Sequence, residues 1–179
     1  MIKVTLLGDS IRMIGYGRVV PTLLGENFDV FQPNENCRFA KYTLRGLFDW
    51  EKGMSGTKIV HWNNGLWDTC NLFGDGLFTS ESEYIENMLR IADILIAKYD
   101  KVIFATTTPV TIQNQYNKNS DIEKYIRKDD NIHLSDEGIK VCAEQVADIV
   151  RKVSQTLGQN SKGKLNSFID NINFIGAPI

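Results

Sequence analysis

The sequence predicts an α/β domain, a parallel sheet with helices packed on its faces. Three observations carry that expectation. Short β-rich runs alternate with stretches of helical periodicity, the order that strand–crossover–strand architecture produces. Clusters of Gly, Pro and Asn separate the runs and mark the turns between them. The chain has 179 residues, 42% hydrophobic and 23% charged, which suits one compact domain with a sizeable core.

Ile2 to Leu7 reads as the first strand, apolar enough to be buried. Tyr16 to Leu24 reads as a short helix, begun or interrupted at Pro21 and stopped at Gly25. Phe28 to Phe31 is a second strand, ended by Gln32-Pro33-Asn34. Tyr42 to Trp50 places Leu44, Leu47 and Phe48 at helical spacing, and Lys58 to Trp62 is a third strand. The strongest helix runs from Ser80 to Tyr99, with Tyr84, Met88, Ile91, Leu95 and Tyr99 along one face. Its acidic start and Lys98 near its end complement the helix dipole. Lys101 to Thr107 is a fourth strand, closed by Thr108-Pro109. Ser135 to about Val153 is the last helix, with Ile139, Cys142, Val146, Ile149, Val150 and Val153 on one side. Beyond Leu157 the chain turns polar, then apolar again through Phe168, Ile169, Ile172, Phe174 and Ile175. We expect a domain over 1–157 and a tail over 158–179 packed on it or at an interface.

Charge excludes some functions. Twenty Lys and Arg face 22 Asp and Glu, for a net charge of −2. That balance is no electrostatic footprint for nucleic acid or an anionic membrane, and neither is expected as a partner. No apolar run approaches the roughly 20 residues of a membrane helix, and the first strand is too short for a signal-peptide core. Cys37, Cys70 and Cys142 are odd in number and scattered, so a reducing cytoplasm is expected, without structural disulfides. Two histidines with no ligand spacing give no expectation of a metal.

Three separated blocks carry chemistry. Gly8-Asp9-Ser10 ends the first strand, at the sheet edge where ligands collect in open α/β folds. Glycine permits a sharp turn there, although Asp9 or Ser10 would equally suit a helix cap. Asp130-Asn131-Ile132-His133 stands just before the last helix. An Asp three residues before a His can fold back, hold the imidazole tautomer and stabilise its charged form. Trp62-Asn63-Asn64-Gly65-Leu66-Trp67-Asp68 ends the third strand, where an amide N–H can point at a substrate carbonyl or simply serve a polar turn. His61 falls inside that strand and reads as a core residue or one behind the site.

Together these blocks resemble those of the SGNH (GDSL-type) hydrolase superfamily, in order and in position, from Met1 to about Val153. The resemblance implies a flavodoxin-like three-layer α/β/α sandwich with a central parallel sheet. It implies a serine ester hydrolase with Ser10 as nucleophile, His133 as base and Asp130 as its partner, needing no metal or cofactor. The oxyanion would be held by the N–H groups of Ser10 and Cys37 and by the Asn63 amide, with Asn64 as second choice. Asp9, Asn64 and Trp67 would contact substrate. Bacterial members with a similar third block suggest a small ester, an acetylated carbohydrate above all, and Trp50, Trp62 and Trp67 are candidates to stack on a sugar or, equally, to be core. A homo-oligomer is compatible with all of this.

Two departures stand out. Cys37 occupies the place of a glycine whose N–H relatives use, with Gly46 as the fallback donor. The stretch between Pro109 and Asp130 is short for the helix and fifth strand expected there, although Asp121 to Tyr125 begins like that helix. We expect the C-terminal tail to supply what is missing. Two rivals remain: a non-catalytic carbohydrate-binding relative, and a flavodoxin-like module that binds nucleotide or phosphate. The second lacks any Gly-x-Gly-x-x-Gly or Lys-Ser/Thr signature.

Overall fold

The computed structural model describes residues 1–108, 123–158 and 172–175. Among these, five strands form one parallel sheet: β1 (Ile2–Leu7), β2 (Phe28–Phe31), β3 (Ile59–Trp62), β4 (Lys101–Ala105) and β5 (Ile172–Ile175). Their spatial order is β2-β1-β3-β4-β5. In register, Val4 lies opposite Val30 and Ile59, and Ile59 opposite Lys101. The helices are α1 (Val20–Leu24), α2 (Ala40–Asp49), α3 (Glu51–Met54), α4 (Glu81–Lys98) and α5 (Asp136–Ser154).

Strand alternation sends side chains to two cores. Val4, Leu6, Ile59 and Ile103 point to one face and pack with Val20 and Leu24 of α1 and Ala143, Val146, Ala147 and Val150 of α5. Leu7, Val60, Trp62 and Val102 point to the other, against Leu47, Met54, Ile91 and Leu95 of α2, α3 and α4. The result is the three-layer α/β/α sandwich expected. Because both sheet faces are covered, the central strands β3 and β4 are mostly apolar, whereas the edge strand β2 keeps Asp29 exposed.

Several boundaries differ, each for a local reason. The helix expected from Tyr16 to Leu24 is two pieces, a 3₁₀ turn at Tyr16–Arg18 and then α1, and a π-type turn at Ile11–Gly15 precedes them. Gly15, at φ −110° and ψ −119°, breaks the helical course, and Pro21 sits in the first turn of α1 where its missing N–H is harmless. α2 starts at Ala40, before the expected Tyr42, and ends against Trp50, whose ring fills the space a Cβ on Gly46 would need. Both long helices are capped by their own sequence. Ser80 Oγ accepts from Glu83 N at 3.3 Å, and Ser135 Oγ accepts from Gly138 N at 3.2 Å. The helix start expected at Asp121 to Tyr125 is a turn over 123–125, followed by Ile126 bridged to Leu134; residues 121 and 122 lie outside the described residues, as do Phe168 and Ile169.

β5 pairs beside β4, with Val102 opposite Ile172. We propose that the tail over 158–179 belongs to the domain for that reason. Truncation after Leu157 should then lower the thermal midpoint and increase binding of a hydrophobic dye, with the association state unchanged. An equally stable truncated chain would put the tail outside the fold.

His61 lies in β3, wholly buried, with its ring edge-on to Tyr16 at 5.7 Å between centroids. Neither ring nitrogen has a hydrogen-bond partner among the described residues, and burial lowers its pKa to about 4. The folded state keeps it neutral, whereas in the unfolded chain it takes up a proton near the usual value of about 6.5. This site's stability is therefore full above about pH 6.5 and falls as pH drops toward 4, by on the order of 3 kcal/mol. His61→Leu should flatten the fall in thermal midpoint between pH 7 and 4. An unchanged slope would mean that other groups govern acid sensitivity.

Candidate active site

The strand order reverses between β1 and β3, since one neighbour of β1 follows it in sequence and the other comes later. A crevice opens beyond the strand ends at such a point. Ser10 follows β1 and Asn63 follows β3, so both stand at its mouth.

Gly8 is required by close approach: a Cβ there would come within 2.9 Å of Arg12 Cβ and 3.3 Å of Tyr16 Oη. Asp9 is 1% exposed, and its Oδ1 accepts from Ile11 N at 2.9 Å, which starts the turn that follows Ser10. Burial raises the pKa of its carboxyl. Asp9 thus braces the start of the serine turn.

Ser10 Oγ lies 2.9 Å from His133 Nε2, and His133 Nδ1 lies 2.8 Å from Asp130 Oδ2. With the carboxylate accepting, Nδ1 carries the hydrogen and Nε2 is left to accept from the hydroxyl. A continuous path for one proton results. Asp130 Oδ1 also accepts from the backbone N–H groups of Ile132 and His133, each at 2.9 Å. Burial pushes the Asp130 carboxyl up, but these amides and the His133 ring outweigh it and bring the pKa down to about 2. It is therefore an anion at any ordinary pH. Such an arrangement can draw a proton from the serine hydroxyl and return it to a leaving group.

The oxyanion wall differs from expectation. Cys37 N donates to Gly8 O at 3.2 Å, and Gly8 N donates to Cys37 Sγ at 3.3 Å, so the Cys37 N–H is already engaged. Gly46 is no substitute, because it lies within α2 against Trp50. The Asn63 amide nitrogen is 2.9 Å from Ala105 O and 3.0 Å from Thr106 O. β4 ends at Ala105, where these contacts fall, short of the expected Thr107. Asn64 is fully buried; its Oδ1 accepts from Trp62 Nε1 at 2.6 Å and its Nδ2 donates to Arg38 O at 3.0 Å. The Ser10 N–H has no acceptor among the described residues. Of the three tryptophans, Trp50 and Trp62 are buried, which withdraws them as sugar platforms, and Trp67 is 39% exposed.

Two further residues shape the site that sequence reasoning passed over. Arg12 is buried and bends back to the carbonyls of Gly8, Pro33 and Glu35, tying the serine turn to the loop after β2. Asp68 is buried as well, and both its oxygens accept from Ala40 N, at 3.2 and 3.0 Å. It caps α2 from a distance, because Phe39 at the cap position has no acceptor to offer. Arg12 stands one helical turn after Gly8, the only sequence signal it gives.

A cavity of about 350 Å³ opens beside His133, lined by Ile11, Ile14, Leu134 and Ile139 with Arg127 and Asp136. Arg127 is held by Asp129. Among the described residues no three His, Cys, Asp or Glu side chains converge as metal ligands, and no helix is long and apolar enough to cross a membrane.

Solved structures share this fold. An acetyl xylan esterase, AlAXEase, superposes with a TM-score of 0.66 at 16% identity, covering 83% of this chain and all of that one. TesA gives 0.65 at 13%, covering 84% and 98%. The psychrotrophic esterase EstA from Pseudoalteromonas sp., inhibited by monoethylphosphonate, gives 0.65 at 12%, covering 87% and 100%. No known family model matches the sequence, and no curated protein matches it. At such identities the common property is the fold, the three-layer α/β/α sandwich.

The double engagement of the Asn63 amide has a measurable consequence. Asn63→Asp replaces a donor facing two carbonyl oxygens by an acceptor, which should destabilise the fold by about 1–3 kcal/mol. Chemical denaturation measures it. A variant as stable as the parent would show that the amide is free.

Proposed function

We propose that this protein is a serine ester hydrolase, with Ser10 as nucleophile, His133 as general base and acid, and Asp130 orienting the imidazole. The unbroken chain of short contacts from Asp130 through His133 to the Ser10 hydroxyl carries this reading. Its position at the strand-order reversal and the fold shared with esterases support it. His133 takes the Ser10 proton as Oγ attacks the ester carbonyl. The uncommitted Ser10 N–H faces the developing oxyanion, and Asn63 contributes an amide hydrogen on leaving a carbonyl of β4's end. His133 then passes the proton to the departing alcohol and draws one from water to release the acid.

For substrate we propose small acyl esters, acetyl esters of carbohydrates in particular. The likeness to an acetyl xylan esterase favours that class, and exposed Trp67 offers a ring for a sugar to stack on. The cavity beside His133 has room for part of such an ester. A screen of acetylated sugars against aryl esters of increasing acyl length tests the class, and preference for long acyl chains would overturn it.

A fluorophosphonate probe tests the nucleophile. It should label the parent protein and not Ser10→Ala, whose turnover should fall by several orders of magnitude. His133→Ala should be comparably damaging. Asp130→Asn should retain more activity, because Asp130 orients and stabilises without exchanging the proton. Equal labelling of parent and Ser10→Ala would remove Ser10 from the mechanism.

A further inference from the structure

We infer, on the footing of the triad proposed above, that Asn131 is a positioning residue: its left-handed backbone, and not its side chain, sets the Asp130–His133 pair. Only two non-glycine residues among those described have positive φ, Arg38 at 51° and Asn131 at 59°. Asn131 stands between the two members of the pair. The conformation is unfavourable for an L-residue, least for Asn and Asp and most for β-branched side chains. Strain of this kind survives where the surroundings impose it.

The surroundings do so at both flanks. Arg127 N donates to His133 O at 2.7 Å, Asn131 N donates to Arg127 O at 3.0 Å, and Ser135 N donates to Tyr125 O at 2.9 Å. With Ile126 bridged to Leu134, the segment from 127 to 133 is a loop closed by its own backbone. Within it the chain must reverse immediately after Asp130. With that reversal the N–H groups of Ile132 and His133 both reach Asp130 Oδ1 while the His133 ring meets Oδ2. Because the loop is closed by its own backbone, a residue that left this conformation would redirect the chain between Asp130 and His133 and disturb their contact. The Asn131 side chain makes no hydrogen bond among the described residues, so the position requires a dihedral angle and nothing more.

Glycine satisfies that requirement without strain and valine opposes it. Asn131→Gly should therefore keep kcat within about twofold of the parent, whereas Asn131→Val should lower kcat by about tenfold or more with KM little changed. The low-field proton resonance of His133 Nδ1–H should persist in Asn131→Gly and shift or broaden in Asn131→Val, a change that a general loss of stability does not produce. Thermal midpoints of both variants are measured alongside; if Asn131→Val fails to fold, Asn131→Ala takes its place, with a smaller loss of kcat expected. Parent-like kcat and resonance in the Val or Ala variant would overturn the inference. So would an Asn131→Gly protein as impaired as Asn131→Val, which would give the role to the side chain. Ser10→Ala in the same assay separates the two levels: if it stays active the triad itself falls, and if it is inactive while Asn131→Val is unaffected only the role of Asn131 falls.

Discussion

The hydrogen bond from Ser10 to His133 joins residues 123 positions apart, and it exists only if the last helix docks correctly on the first strand. Docking is set by small residues. Ala143 and Ala147 are fully buried where α5 meets the sheet, and Val146, Val150 and Val153 complete the contact. At the head of α5, a Cβ on Gly138 would lie 2.1 Å from Tyr125 O, so only glycine lets the helix start close to that segment. The Ser135 cap and the Ser135–Tyr125 backbone bond then fix where the helix begins. A displacement of α5 by even 1 Å would open the 2.9 Å contact at its N-terminal side. Packing of a helix face thus governs the geometry of a proton path.

The layered fold was legible because its signals are periodic. Strands buried on both faces show as short apolar runs, and amphipathic α4 and α5 show as stripes that repeat each turn. Ser10, Asp130 and His133 were legible because each belongs to a short motif at a strand or helix end. Less legible were features made by contact between distant segments. Ala40 N at the start of α2 is satisfied by Asp68, 28 residues away, and Ala105 O at the end of β4 by Asn63, 42 residues away. Nothing near Ala40 or Ala105 announces either. The π-type turn after Ser10 was missed for a related reason: it is shaped by Asp9 and by the buried arch of Arg12, and its five residues are too few to show a period.

Buried polar groups around the site share one task, which is to hold loops that lack regular structure. Arg12 satisfies three carbonyls, Asn64 joins Trp62 to Arg38, Asp68 satisfies Ala40, and Thr43 Oγ donates to Cys37 O at 2.9 Å. Each is nearly or wholly removed from water, where an unpaired group would cost about 1–3 kcal/mol. Their mutual satisfaction is what makes the loop after β2 a rigid wall. Arg38 can sit at positive φ within it because its carbonyl and N–H are both spoken for, by Asn64 and by Asn36.

Cys37 gains a different meaning from this wall. Read in one dimension, it stands where a glycine N–H would be wanted, and looks like the loss of a donor. In the fold it exchanges two contacts with Gly8, giving its N–H to the carbonyl and taking the Gly8 N–H on its sulfur. A glycine could make only the first. Burial raises the thiol's pKa, so the sulfur stays protonated and serves as a neutral acceptor. The serine turn is therefore strapped to the loop after β2 by a side chain where a bare backbone would have left it looser. If Ser10 acts as proposed, stabilisation of the oxyanion then rests on fewer donors held more firmly, the Ser10 N–H first among them. Rigidity counts in such a site, because a donor already fixed in direction needs no reorganisation when charge develops.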